Sequence, residues 1–219
     1  VKKIFVAPGN AGTALENKTK NVAIDVMDIE GLLSFAKSND VDLTIVGPEA
    51  PLVAGVVDLF RTANMAIFGP TQGAAQLEGS KAFAKDFLQR HKIPTAAYAA
   101  FTEVAPAIAY IKQQGAPIVV KADGLAAGKG VTICKTKKQV ITSCSDIFKG
   151  KFESSKKVVL EEFLTGEEVS YFVVVDNNNF KFFGTAQDHK RVYENDKGPN
   201  TGGMGAYSPA PIISKTLEK

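Results

Sequence analysis

Cysteine is scarce in this chain: only Cys134 and Cys144 occur, with no CxxC spacing and no histidine near them. No zinc-site pattern is present, and a chain so poor in thiols is expected in a reducing cytoplasm. Long apolar runs are missing too, as is a cationic N-terminal segment leading into a secretory core, so no membrane partner is expected. Nor does one sign of charge dominate: 26 Lys and Arg against 23 Asp and Glu leave +3, scattered without a single-sign block. A nucleic-acid binder usually concentrates a basic stripe, so none is expected as a partner, although local basic residues can still hold small phosphorylated ligands. There is no internal repeat, no low-complexity tract and no Ser-His-Asp or Cys-His pairing.

What is present is a 219-residue chain, 45% hydrophobic and 22% charged, in the globular range. Its length can bury a core and lies between the usual sizes of one domain and two. Residues 1–7 run at once into a strand-like stretch, and 213–219 read as a helix just beginning, so both ends look cut.

The first third alternates apolar runs with helical patterns, as a parallel sheet with crossovers does. Ile4 to Val6, Leu43 to Val46 and Met65 to Phe68 read as strands; Val53, Val56, Val57 and Phe60 recur at helical spacing. Each strand ends in a Gly or Pro loop: Pro8-Gly9-Asn10, Gly47-Pro48-Glu49 and Gly69-Pro70-Thr71. In open α/β sheets ligands bind beyond such strand ends, although any one of these loops by itself is better read as a turn.

From Ser80 the pattern changes. Ser80 can cap a helix carrying Phe83, Phe87 and Leu88, which Ile93-Pro94 then stops. A helix over 104–114 follows, then strands at 118–121, 131–135, 158–162, 169–175 and 180–186. This later part is α+β, and the boundary is placed near Gly79.

The sharpest local signal is Lys121-Ala-Asp-Gly-Leu-Ala-Ala-Gly-Lys-Gly-Val131. Gly124, Gly128 and Gly130 let the backbone turn N–H groups toward anionic oxygens, while Lys121 and Lys129 supply charge. A Walker A loop would need glycine where Asp123 stands and Ser or Thr where Gly130 stands. The GxGxxG spacing of a dinucleotide fingerprint is absent as well. A glycine hairpin between two strands remains; alone, it could equally be a flexible connector with solvated lysines. Downstream, Val159-Leu-Glu-Glu-Phe-Leu-Thr-Gly-Glu-Glu-Val-Ser170 sets a strand end, a short linker and an acidic pair before a new strand. A base could read exposed backbone at the strand end, and a carboxylate could accept ribose hydroxyl protons.

Phosphate loop, hinge and carboxylate in this order resemble the ATP-grasp superfamily, as does Ser80-Lys81-Ala-Phe. Pro8-Gly-Asn-Ala-Gly-Thr13, Gly47-Pro-Glu-Ala-Pro-Leu52, Gln187-Asp-His-Lys-Arg191 and Gly198-Pro-Asn-Thr-Gly-Gly-Met-Gly-Ala-Tyr-Ser-Pro209 narrow the likeness. Together these stretches are similar to the glycinamide ribonucleotide synthetase family and cover nearly the whole chain.

The resemblance implies an N-terminal parallel-sheet, Rossmann-like pre-ATP-grasp domain over 1–79, lacking its first strand. A partial α+β ATP-grasp domain over 80–219 would follow, with a lid subdomain at about 99–167. It implies ATP-dependent ligation of glycine to 5-phosphoribosylamine through a glycyl phosphate, with ATP and Mg2+ (or Mn2+). Lys81, Lys121, Lys129 and the backbone of Gly124, Gly128 and Gly130 would hold ATP phosphates. Glu161 and Leu164 would meet adenine through main-chain groups, and Glu168 would take the ribose hydroxyls. Asp188, Lys190 and Arg191, with Gly202, Gly203 and Gly205 in a loop over 201–208, would bind phosphoribosylamine and the reacting carboxylate. Glu49 is a candidate for the ribosyl hydroxyls or amine; Lys121, Lys190 and Arg191 would offset developing charge. His189 is read as a packed or polar-network residue and Glu167 as exposed; the plain alternatives are a surface Lys81, a structural salt bridge for Glu161 and an exposed Glu168. The family's first phosphate loop and its metal-binding Glu and Asn are not in the sequence. The rival readings are another purine-pathway ATP-grasp ligase and a nucleotide-binding module without catalysis.

Overall fold

The computed structural model describes residues 1–126, 130–152, 155–176, 178–195 and 197–217. They form two compact units, one of residues 1–95 with 123–125, the other of residues 96–122 with 126–219.

In the first unit, β1 (Ile4–Val6) pairs in parallel with β2 (Thr19–Asn21), and β3 (Thr44–Ile45) with β4 (Ile67–Phe68). Helix α1 (Ile29–Ser38) starts where the Asp28 carboxylate accepts from Gly31 N. It buries Leu33 and Ala36 against Val56, Val57 and Phe60. The apolar recurrence through 53–60 predicts one helix, but the structure breaks it. Gly55, at φ 94°, ends α2 (Glu49–Ala54) in a left-handed cap and begins α3 (Val56–Thr62). Then come α4 (Gln72–Gly79) and α5 (Lys81–Arg90), joined by Ser80, whose hydroxyl accepts from Phe83 N as the sequence leads one to expect.

The loop after β1 is held by side chains. Asn21 Nδ2 donates to Asn10 O at 2.8 Å, and Thr13 Oγ1 donates to Asn21 Oδ1 at 2.8 Å. A Cβ on Gly9, which has φ +76°, would lie 2.2 Å from Asn21 Cγ. Gly9→Ala is therefore expected to lower stability by about 1–3 kcal/mol, from left-handed strain plus displacement of Asn21. Thermal melting checks this; an unchanged melting temperature would mean that the loop is free to re-form.

The second unit contains β5 (Tyr98–Phe101), α6 (Val104–Gln114), β6 (Ile118–Ala122), β7 (Val131–Cys134), α7 (Lys137–Phe148) and β8 (Val158–Glu162). The strands form one sheet in the order β5-β8-β6-β7, each neighbour antiparallel. Ile118, Val120, Ala122, Val158 and Leu160 pack with Ile111 of α6 and with Val140, Cys144 and Ile147 of α7. Period-two alternation thus leaves Lys121 on the opposite face of β6 from this core. Helix α7 carries a capping box of Thr136 and Gln139. Both cysteines are buried and free; loss of solvation raises their thiol pKa values, that of Cys144 to about 12, so neither is a ready nucleophile.

A second sheet in this unit has the order β11-β10-β9, from β9 (Ser170–Asp176), β10 (Asn179–Tyr193) and β11 (Lys197–Tyr207). The glycine-rich stretch expected as a loop over 201–208 is largely strand. Its backbone pairs with β10 at Gln187↔Tyr207, Asp188↔Ala206 and His189↔Gly205, and tertiary pairing overrides the weak strand preference of glycine. Register shifts after His189 and Arg191 take up the irregularity. No helix among the described residues is long and apolar enough to cross a membrane.

Candidate functional site

The glycine segment is the hairpin expected from its sequence. Strands β6 and β7 pair from Ile118↔Cys134 to Lys121↔Val131, and Ala122 N donates to Gly130 O at 2.8 Å to close the pairing. Gly124 turns the chain at φ 82°, and a Cβ on Gly130 would sit 2.7 Å from Ala126 Cβ, so both positions need glycine. Gly128 and Lys129 lie outside the described residues.

In the first unit, the start of α5 meets the entry of this loop. Lys81 Nζ donates to Gly124 O at 2.7 Å. Asp123 accepts from Ser80 Oγ at 3.0 Å and from Ala82 N at 3.1 Å. Sequence reasoning passes over Asp123, because nothing local in the chain indicates a partner 41 to 43 residues away.

In the second unit, Lys121 Nζ lies 2.9 Å from Glu161 Oε2, with the Glu161 side chain 7% exposed and that of Lys121 26%. Register explains the meeting: Val119 stands opposite Glu161, so Lys121, two residues on, shares its face. The Glu161 backbone lies between Tyr98 on one side and Val119 on the other. Glu162 N donates to Ala97 O at 2.8 Å, and Glu162 Oε2 accepts from Ala97 N at 3.2 Å. Beyond this strand end the chain enters the linker with Leu164, which is exposed. A groove of about 290 Å3 beside the strand end is lined by residues that include Tyr110, Pro117, Ile118 and Leu160.

The acidic residue expected to serve a ribose and the basic residue expected to serve the substrate come together. Lys190 Nζ lies 3.2 Å from Glu168 Oε1 and 3.4 Å from Asp188 Oδ2. Desolvation works to lower the Lys190 pKa, but the hydrogen bond and charge of Glu168, with those of Asp188, outweigh it and leave the pKa raised, so the ammonium is retained. These side chains are well exposed, and the pairs add little stability. Arg191 Nη1 donates to Gly198 O at 2.6 Å, and Thr201 Oγ1 donates to Lys190 O at 2.9 Å and accepts from Gly203 N. Gly202, Gly203 and Gly205 thus lie on β11, alongside the basic pair of β10. His189 stacks at 5.5 Å on Tyr207. Glu49 is the exposed first residue of α2, in the other unit. Among the described residues, no group of three His, Cys, Asp or Glu gathers to hold a metal ion.

The model of the phosphoribosylglycinamide synthetase N domain matches residues 1–78, and that of the phosphoribosylglycinamide synthetase ATP-grasp (A) domain matches residues 79–219. The chain belongs to the phosphoribosylglycinamide synthetase family. A phosphoribosylamine–glycine ligase of Vibrio parahaemolyticus is 63% identical over 219 residues, 99% of this chain and 51% of that protein. The crystal structure of phosphoribosylamine–glycine ligase from Thermotoga maritima is 32% identical, with a TM-score of 0.76 over 96% of this chain and 50% of the other. D-alanine–D-alanine ligase of Bacillus anthracis, solved with ATP, shares the fold at a TM-score of 0.62 and 20% identity, over 92% of this chain and 63% of the other. The chain therefore spans about half the length of the curated synthetase-family relatives it matches. As expected from the sequence, the architecture is an N-terminal α/β region followed by an ATP-grasp region.

Proposed function

We propose that this chain supplies the N domain and ATP-binding part of an enzyme that joins glycine to 5-phosphoribosylamine, giving glycinamide ribonucleotide, ADP and phosphate. The observation that carries this reading is the match of both family domains, end to end, along a chain that sets lysines beside a glycine hairpin. In it, Lys81, Lys121 and the loop backbone from Gly124 to Gly130 hold ATP phosphates. Lys121 then shares its ammonium between Glu161 and a phosphate oxygen. Leu164 and the neighbouring linker backbone meet adenine; Glu161 contributes through its position at the strand end, and Glu168 takes the ribose hydroxyls. Asp188, Lys190 and Arg191, with Gly202, Gly203 and Gly205, receive phosphoribosylamine and the glycine carboxylate, and Glu49 receives the ribosyl hydroxyls or amine. The functional division near residue 79, with a lid at about 99–167, belongs to the same proposal.

The chemistry follows from the substrate. A carboxylate is a poor electrophile, because oxide would have to leave. A glycine carboxylate oxygen attacks the terminal phosphorus of ATP and ADP departs; the ribosylamine nitrogen then attacks the acyl carbon, losing a proton as phosphate leaves. No side-chain nucleophile is required. Lysines and backbone N–H groups offset charge as the phosphoryl group moves, and a closed loop protects the acyl phosphate from water. ATP is proposed to arrive with Mg2+ or Mn2+; among the described residues no group of three His, Cys, Asp or Glu gathers to hold the ion, and no step is assigned to it.

With oxygen-18 in the glycine carboxylate, the complete enzyme is expected to pass label into inorganic phosphate, since the bridging oxygen leaves with it. Mass spectrometry of the phosphate reads this directly; a productive reaction giving unlabelled phosphate excludes the acyl-phosphate route. A second reading is favoured by the half-length match to the relatives: the chain alone binds ATP without turnover. ATP titration combined with a phosphate-release assay on residues 1–219 separates the two.

A further inference from the structure

We infer that Asp123 is a positioning residue that holds the first turn of α5, and with it the Lys81 ammonium, against the entry of the glycine loop. The inference rests on the ATP-binding reading for its functional consequence. Its structural part stands on the hydrogen bonds that join Asp123 and Gly124 to the helix start.

An α-helix leaves its first N–H groups without partners inside the helix. At α5, Ser80 Oγ takes the Phe83 N–H at 3.2 Å, and Asp123 Oδ1 takes the Ala82 N–H at 3.1 Å. Having accepted from Phe83, the Ser80 hydroxyl donates its own proton to the Asp123 carboxylate, 3.0 and 3.1 Å from its two oxygens. The next residue, Gly124, turns at φ 82° and receives the Lys81 ammonium on its carbonyl at 2.7 Å. Two consecutive loop residues thus grip three consecutive residues at the start of a ten-residue helix.

Charge makes this more than a cap. The N-terminal end of a helix attracts anions, and a free end of α5 would compete with Lys81 for a nucleotide phosphate. The Asp123 carboxylate fills that end, so phosphate is directed to the lysine and away from the helix amides. Removing it loosens Lys81, which slows chemistry, but also removes a negative charge, which favours ATP binding. The two effects oppose each other in affinity and add nothing to each other in turnover.

The test compares Asp123→Ala, which removes every acceptor, with Asp123→Asn, which keeps one carbonyl oxygen for Ala82 N–H or the Ser80 hydroxyl. In the complete enzyme, kcat is expected to fall about tenfold or more for the Ala variant and less for Asn, with the ATP KM within about threefold or lower. In residues 1–219, amide exchange at Ala82 and Phe83 is expected to accelerate in the Ala variant. A raised ATP KM at unchanged kcat would make Asp123 a phosphate-site determinant and overturn the inference. So would a lowered melting temperature with kcat and KM both intact, or unchanged exchange at Ala82 and Phe83. If the Ala variant fails to fold, the Asn variant supplies both readouts. If the unsubstituted chain binds no ATP, the functional reading fails, while the exchange comparison still decides whether Asp123 holds the helix.

Discussion

Lys121→Ala is expected to weaken ATP binding by roughly ten- to a hundredfold and, in the same protein, to lower the melting temperature. The first effect is the loss of one charge-assisted contact to phosphate, on the order of 1.5–3 kcal/mol. The second comes from the 2.9 Å pair with Glu161, whose side chain is 7% exposed. Taking the ammonium away from a buried carboxylate costs about 3–5 kcal/mol where both groups are fully buried, and less here because Lys121 keeps some contact with solvent. Adding Glu161→Gln separates the two effects. The double variant should regain most of the melting temperature, because the amide needs no counter-charge, but none of the ATP affinity. Calorimetric titration with ATP, read beside a melting curve, checks both. Full ATP affinity in a folded Lys121→Ala protein would remove Lys121 from the site.

Gly124→Val is expected to reduce turnover by more than tenfold in the complete enzyme, with Gly124→Ala intermediate. The backbone at Gly124 has φ 82°, where any Cβ costs about 1–2 kcal/mol and a β-branched one more. Relief of that strain moves the carbonyl that receives Lys81 and re-aims the N–H groups that follow in the loop. Unlike Lys121→Ala, this change removes no charge, so the loss should fall mainly on kcat. Steady-state kinetics with varied ATP reads the difference. A Val variant with normal turnover would reduce the loop to a connector between β6 and β7.

Several elements are legible in short windows of the amino-acid sequence. Ser80 followed by helix-forming residues marks a start, and α5 begins there; the runs 104–114 and 158–162 have the bounds of α6 and β8. The hairpin follows from glycines set between two β-branched runs. Helix α7 has a legible signal in Thr136 and Gln139, a capping box within four residues. Strand β2 has none, since Thr-Lys-Asn is too short and polar to show a period.

Local chemistry therefore determined where α5 starts, the bounds of α6 and β8 and the glycine turn between β6 and β7, because caps, turns and apolar periodicity act between near neighbours. Tertiary structure alone decided the partners. Lys121 meets Glu161 because β6 lies beside β8 in one particular register, and a slip of one residue would put them on opposite faces. Asp123 reaches α5 across 41 residues, Glu168 and Lys190 meet across 22, and the glycines of β11 become a strand only because β10 is there to pair with them. Each of these depends on contacts between residues far apart in the chain, and no window of sequence contains both members of the pair.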